Sequence, residues 1–399
     1  MTSATTASSA DSAVMKTYGR ADLAFVRGEG SWLVTEDGTQ YLDCASGIAV
    51  NTLGHSHPRL VAALIEQAGK LWHCSNLFKI KGQETVAKKI VDNSFASTVF
   101  FCNSGAEAVE AGIKAMRRYF YVNGKKNKTK IICVRNAFHG RTYAAISAAG
   151  QDKMLEGFEP GLSGFVHVDF NNIDQVKNQI DENTAGILIE TVQGEGGINP
   201  AEKSYLIELN QIAKDNDLLL FFDEVQCGVG RTGKFLAVEW VKNLNPNIVS
   251  IAKGIGGGFP VGALLLDSKV SKAMTPGSHG STFGGNPLGM AVADVVLNHV
   301  LKEDFLDQIR FIGYELRRKL SEDIVKKYPK IVSGVRGLGL MIGLEAIEKN
   351  TLIIDALRSE RILTVRAGSN VVRILPPLIL EMKHVDEAIR KIDKALSKF

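Results

Sequence analysis

In the stretch IVSIAKGIGGGFPVG (248–262), an apolar run ends on Lys253, and Gly254, Gly256, Gly257 and Gly258 follow at once. A solvated lysine needs no such setting. A reactive amine does, because burial favours its neutral, nucleophilic form. In FFDEVQCGVGRTG (221–233) another apolar run closes on Asp223. A carboxylate there is costly to bury unless a cation or strong donor meets it. NSGAEA (103–108) follows an apolar run and opens a helical pattern. Gly105 permits close backbone approach, and the free amides at a helix start offer a ready phosphate site. AFHGRT (137–142) offers Phe138 to stack on a flat ring and Arg141 to pair with a carboxylate, with His139 read as structural. ETVQGEGG (190–197) carries Glu190 and Glu195, whose spacing leaves open whether they face one another.

Each feature alone also reads as ordinary structure: a strand-end charge reaching solvent, or a tight turn with Ser104 as N-cap. Together they specify more. A lysine able to form a Schiff base and an aspartate for a pyridinium nitrogen are how pyridoxal 5'-phosphate is held. A phosphate cradle and an aromatic for the ring complete the requirement.

The elements that must position these groups are legible as apolar runs. TVFFC (98–102), KIICV (130–134), GILIE (186–190), LLLFFD (218–223), NIVSIA (247–252) and GALLLD (262–267) are continuously apolar, as strands buried on both faces should be. Helical periodicity over 105–120 and 201–214 lies between some of them. This alternation predicts an α/β fold with a mostly parallel sheet covered by helices, and ligands at the carboxyl ends of its strands. Residues 20–46 read as a small meander. Helices are expected from Pro287 towards 300, over 304–328 and near 382–397, with short strands at Gly339–Glu345 and Val371–Leu375. The expected division is a disordered tail at 1–15, a large domain at 51–290, and a smaller α+β domain built from 16–50 and 291–399.

Bulk properties narrow the partners. The chain has 399 residues, 45% hydrophobic and 23% charged, with a net charge of +4, which fits a folded soluble protein with no nucleic-acid partner. The densest basic run, GKKNKTK (124–130), reads as a solvated turn. Five cysteines, an odd number with no pair at CxxC spacing, argue against a disulfide framework or a metal site and for a reducing compartment. No apolar run approaches the ~18–20 residues that span a bilayer. The first fifteen residues lack secretory and mitochondrial signatures, so the cytoplasm is expected, with an organelle matrix left open.

From about residue 17 onward the chain resembles the class III, fold type I, pyridoxal-phosphate aminotransferases. The motifs that carry this, in order, are SGIAVNTLGHSHP (46–58), NSGAEA, AFHGRT, FDEVQCGVGRTG, IAKGIGGGFP, GSTFGGNPL (280–288) and RILPPL (373–378). The resemblance implies a large domain with a seven-stranded sheet. It implies Lys253 as the Schiff-base lysine and proton carrier, and Asp223 as the partner of the ring nitrogen. Glu224, beside it, joins the cofactor-binding set. Gln226 would hydrogen-bond the ring hydroxyl, Val225 pack behind the ring and Phe138 stack on it, with Gly105 and Ala106 on the phosphate. Ser281 and Thr282 would reach the neighbouring subunit's site, Thr282 at its phosphate and Ser281 near its substrate, which implies a homodimer. Arg141 would bind a substrate carboxylate, Glu190 would lie among the substrate contacts, and Glu195 with Arg373 would form a pair that opens for 2-oxoglutarate. Cys227 stands where the pattern has threonine. KLWHCSNLF (70–78), ETVQGEGGINP (190–200) and VVRILPPL (371–378) imply N-acetylornithine as donor, in arginine synthesis.

Rival donors are ornithine, succinylornithine, N-succinyl-LL-2,6-diaminoheptanedioate and 4-aminobutyrate. A rival of another class is a nucleotide-binding protein using the glycine-rich loops, which leaves Asp223 and Arg141 without roles. A non-enzymatic assembly protein explains none of the strand-end polar residues.

Overall fold

A computed structural model describes residues 13–399. The expected tail at 1–15 lies mostly outside the described residues. Seven strands form the central sheet: Thr98–Cys102, Lys130–Val134, Phe165–Val168, Thr184–Glu190, Leu219–Asp223, Ile248–Ile251 and Gly262–Leu266. Gly262–Leu266 runs antiparallel between Thr98–Cys102 and Ile248–Ile251. The remaining pairings are parallel. The expected α/β fold with a mostly parallel sheet is therefore present. Phe165–Val168, an edge strand, was not expected; its four residues are mostly half-buried and do not form a continuous apolar core run.

Alternation along the strands assigns side chains to two faces. Leu219 and Phe221 point into one core with Val109, Met116 and Phe120 of the helix Gly105–Val122. Leu220 and Phe222 point into the other core, with Val86, Ile90, Leu206, Leu209 and Val296 from the helices Lys81–Asp92, Lys203–Asp215 and Pro287–Val300. Phe221 and Phe222 are both fully buried. Each such side chain contributes ~1.5–3 kcal/mol, so the sheet is a rigid platform whose strand ends carry the polar groups.

The second unit draws on both ends of the chain. Strands Val332–Leu338, Met341–Ala346, Val371–Ile374 and Val365–Ala367 form one antiparallel sheet. Phe25–Glu29, Trp32–Thr35 and Gln40–Asp43 form the N-terminal meander, and Ile362–Leu363 adds to it in parallel. Leu42 and Cys44 accordingly share a core with Leu316, Ile353, Leu357, Val385 and Ile392. Two expectations need correction. The segment expected as one strand from Gly339 begins on a hairpin turn, where Gly339 has φ +57° and the strands flank it. The helix expected over 304–328 spans Glu303–Lys319 and continues as a π turn at Leu320–Val325. No helix among the described residues is long and apolar enough to cross a membrane.

Candidate active site

The polar groups converge at one edge of the central sheet. In the register, Asp223 sits beside Glu190 on one side and Ser250 on the other. All three lie on the Phe221 face, at the carboxyl ends of their strands, where ligands bind in such sheets. Asp223 is 3% exposed. Its carboxylate accepts from His139 Nδ1 (2.8 Å), Ser250 Oγ (3.1 Å) and the Val225 amide (3.0 Å). His139 is buried, and its Nε2 has no partner. Burial pulls the imidazole pKa down, but the bond to Asp223 and the nearby Asp223 and Glu190 charges outweigh it and raise it. His139, read from the sequence as structural, supports the Asp223 carboxylate, a pairing the sequence did not show. Its signal was its place beside Phe138 in a loop otherwise rich in candidate ligands.

Lys253 directly follows the strand Ile248–Ile251 and Ala252. Its φ of +45° is in the left-handed region, which costs a non-glycine residue on the order of 1 kcal/mol or more and is held only by its surroundings. The side chain makes no hydrogen bond or ion pair among the described residues. Burial and the Arg373 charge lower its pKa, opposed by Asp223, Glu190 and Glu195. An ammonium so placed gives up its proton more readily than a surface lysine.

The helix Gly105–Val122 aims its start at the same edge. Ser104 Oγ caps the Glu107 amide, while the amides of Gly105 and Ala106 meet no protein acceptor. A Cβ on Gly105 would lie 2.5 Å from Val225 Cγ1, so only glycine lets the helix start and Val225 approach this closely. Gly140, at φ +123°, packs the AFHGRT loop against Ala106 in the same way. Phe138 in that loop is half-buried, and Arg141 is exposed with its guanidinium carbon 5.7 Å from the Phe138 ring centroid.

Arg373 enters from the second unit on the strand Val371–Ile374, 1% exposed. Its Nη2 lies 2.7 Å from Glu195 Oε2, and its Nη1 donates to Gln226 Oε1 at 3.1 Å. Burial lowers the guanidinium pKa, with Glu195 opposing. Gln226 thus faces Arg373 in this structure.

Not every expected residue joins the cluster. Glu224, next along the chain from Asp223, turns to the opposite side, as alternation demands. Its carboxylate accepts from the amides of Ala237 (2.5 Å) and Val238 (2.7 Å) and from Thr191 Oγ1 (3.3 Å), and burial pushes its pKa up to about 8. Its contacts in this structure are those of a backbone cap, on the side away from the Asp223 carboxylate. Glu190, beside Asp223, is 5% exposed, with its oxygens on the amides of Phe138 and Gly194. Ser281 Oγ accepts from Asn103 Nδ2 (3.2 Å) and the Gly284 amide (3.1 Å). Thr282 is exposed and stays outside this chain's own cluster.

An unpaired amine, a buried carboxylate with acceptor capacity, two free helix-start amides and a nearby phenyl ring are a donor set that fits pyridoxal 5'-phosphate. Comparison with known proteins agrees. The profile of the family described as Aminotransferase class-III matches residues 14–396. The acetylornithine aminotransferase of Brucella melitensis is 51% identical over 382 residues, 96% of this chain and 94% of that protein. A crystal structure of N-acetylornithine aminotransferase from Stenotrophomonas maltophilia superposes with a TM-score of 0.84 at 35% identity, covering 96% of this chain and 97% of that one. One of the ornithine aminotransferase from Toxoplasma gondii, described with partial occupancy of PLP at its active site, gives a TM-score of 0.91 at 30% identity, covering 96% and 92%. The chain belongs to the class-III aminotransferases. It is a pyridoxal-phosphate-dependent enzyme that moves amino groups between amino-acid and keto-acid substrates.

Proposed function

We propose that the enzyme takes the terminal amino group of N2-acetyl-L-ornithine and delivers it to 2-oxoglutarate, forming N-acetyl-L-glutamate 5-semialdehyde and L-glutamate in arginine synthesis. The observation that carries this reading is the Glu195–Arg373 pair at 2.7 Å, beside Lys253. The two substrates present different groups to one site. A donor reacting at its terminal amine places its carboxylate far away, whereas 2-oxoglutarate places one next to the reacting carbon. With Glu195 on Arg373, the near guanidinium is masked and the donor's carboxylate is left to exposed Arg141. With Glu195 displaced, Arg373 meets the near carboxylate of 2-oxoglutarate in a charge-assisted pair.

The amides of Gly105 and Ala106 would hold the cofactor phosphate, Phe138 and Val225 the ring faces, and Asp223 the ring nitrogen. Pyridoxal 5'-phosphate, when bound, supplies a reversible amine carrier and an electron sink. Asp223 would face the ring nitrogen as a carboxylate and favour its protonated form, with the His139 imidazole fixing the carboxylate's orientation. Lys253, its pKa lowered, would be the base that holds the proton taken from the substrate carbon. Lys253 is half-buried and Arg373 is 1% exposed, which limits the access of water to the exchange.

The active unit in this reading is a homodimer. Thr282 is exposed beside Phe283, which is 58% exposed, and Leu77 is 88% exposed on the segment that Asn76 ties to Ser281 and Gly284. A partner subunit covering this face would receive Thr282 at its phosphate and Ser281 near its substrate. Five free thiols fit the reducing cytoplasm.

A donor panel with 2-oxoglutarate as acceptor, read as glutamate formed, tests the substrate. N2-acetylornithine should give the highest kcat/KM. A higher value with ornithine, succinylornithine, N-succinyl-LL-2,6-diaminoheptanedioate or 4-aminobutyrate would replace the donor named here.

A further inference from the structure

Glu190 is a buried carboxylate at the centre of the site that the transfer just described leaves unused. It ends the strand Thr184–Glu190 and lies beside Asp223 in the parallel register. Two acids side by side in the interior repel, and each is costly to desolvate. A residue kept at that cost is expected to make contacts that no neutral side chain makes.

Its contacts join two loops. Oε2 accepts the Phe138 amide at 3.2 Å, and Oε1 accepts the Gly194 amide at 3.3 Å. Phe138 sits in the loop that also carries His139 and Arg141. Gly194 immediately precedes Glu195, whose own carbonyl accepts from the Gly368 amide at 2.7 Å. The peptide carrying Glu195 is therefore held on one side by Glu190 and on the other by the second unit. Leaving the part-buried Phe138 amide and the buried Gly194 amide unpaired is costly, and a group with two acceptor oxygens at this reach satisfies both. Burial pushes Glu190 up to about 7; the His139 imidazole and the two amides draw it down, while Asp223 pushes it up.

We propose that Glu190 is a positioning residue that ties the cofactor-stacking loop to the Glu195 gate, so that cofactor seating and acceptance of 2-oxoglutarate are set by one carboxylate. This rests on the reading of Glu195 and Arg373 as the gate for 2-oxoglutarate. Glutamine can accept one of the two amides, but its NH2 group meets the other head-on. Aspartate accepts either but is too short to span both.

The test uses the holoenzyme and the Glu190→Gln and Glu190→Asp variants, with thermal melting as a check on folding. The readouts are the affinity for pyridoxal 5'-phosphate and the two half-reactions in single turnover. For Glu190→Gln, the substrate concentration giving half-maximal rate should rise about tenfold for 2-oxoglutarate, while the N2-acetylornithine half-reaction at saturating cofactor changes less than about twofold. Cofactor affinity should fall several-fold, and the 2-oxoglutarate effect should vanish in a Glu195→Gln background. Glu190→Asp should behave in the same direction and carries the test if the glutamine variant does not fold. Equal loss in both half-reactions, unchanged cofactor affinity, or a full effect persisting without Glu195 overturns the inference. A wild-type enzyme that uses 2-oxoglutarate, with unaltered variants, overturns it alone. A wild-type enzyme that does not use 2-oxoglutarate overturns the functional reading and takes the inference with it.

Discussion

His139 Nδ1 donates to Asp223 Oδ2 across 2.8 Å, with both side chains almost wholly buried. The imidazole pKa is raised by this contact against the cost of burial. A group held above its unfolded value contributes stability that is complete below that value, 6.5, and is lost as pH rises through the folded value. The melting temperature of cofactor-free wild type should therefore lose ground to His139→Gln as pH rises above about 6.5. A pH-independent gap between the two would contradict the pairing.

Gly105→Ala puts a methyl 2.5 Å from Val225 Cγ1. Overpacking of this kind costs ~1–3 kcal/mol, and here it displaces the two amides offered to the phosphate. Cofactor affinity should fall by about tenfold or more. Val225→Ala in the same chain should restore part of it, since it removes the atoms that collide. Absence of rescue in a fluorescence titration would show that the clash is not the cause.

The central strands were readable because strands buried on both faces have little choice but continuous apolar sequence. The chemistry was readable at Lys253, Asp223 and Gly105 because amine, carboxylate and glycine at strand ends are hard to explain otherwise. What the chain order hid is pairing across loops. Nothing in the spacing of 139 and 223 places an imidazole on that carboxylate. The opposite orientation of Asp223 and Glu224 was within reach, since the period of a strand is two; motif resemblance at FDEVQ obscured it. Gln226 turned to Arg373 was not legible, because Arg373 arrives from the second unit.

Glu224 accepts the Ala237 and Val238 amides while buried, with its pKa pushed up to about 8. Its folded-state pKa exceeds the ordinary 4.5, so its contribution to stability is fully present below 4.5 and declines towards pH 8. Glu224→Gln keeps one acceptor and should destabilise by ~1–3 kcal/mol at pH 5. The deficit should shrink as pH approaches 8. Denaturant unfolding at a series of pH values reads this, and a widening deficit would reverse the assignment.

Arg373→Ala removes the guanidinium that Glu195 and Gln226 hold. Loss of a charge-assisted contact costs ~1.5–3 kcal/mol, or about 10- to 150-fold. That loss should fall on the glutamate and 2-oxoglutarate half-reaction, with the N2-acetylornithine half changed far less. Matching losses in both halves, measured in single turnover, would remove Arg373 from its role as the near-carboxylate ligand.

Borohydride reduction of the holoenzyme, followed by peptide mass spectrometry, bears most directly on the whole account. It predicts a phosphopyridoxyl mass on the peptide containing Lys253, and none in Lys253→Ala, which should bind the cofactor without turning over. The same label on a different lysine, or normal turnover by Lys253→Ala, would contradict it.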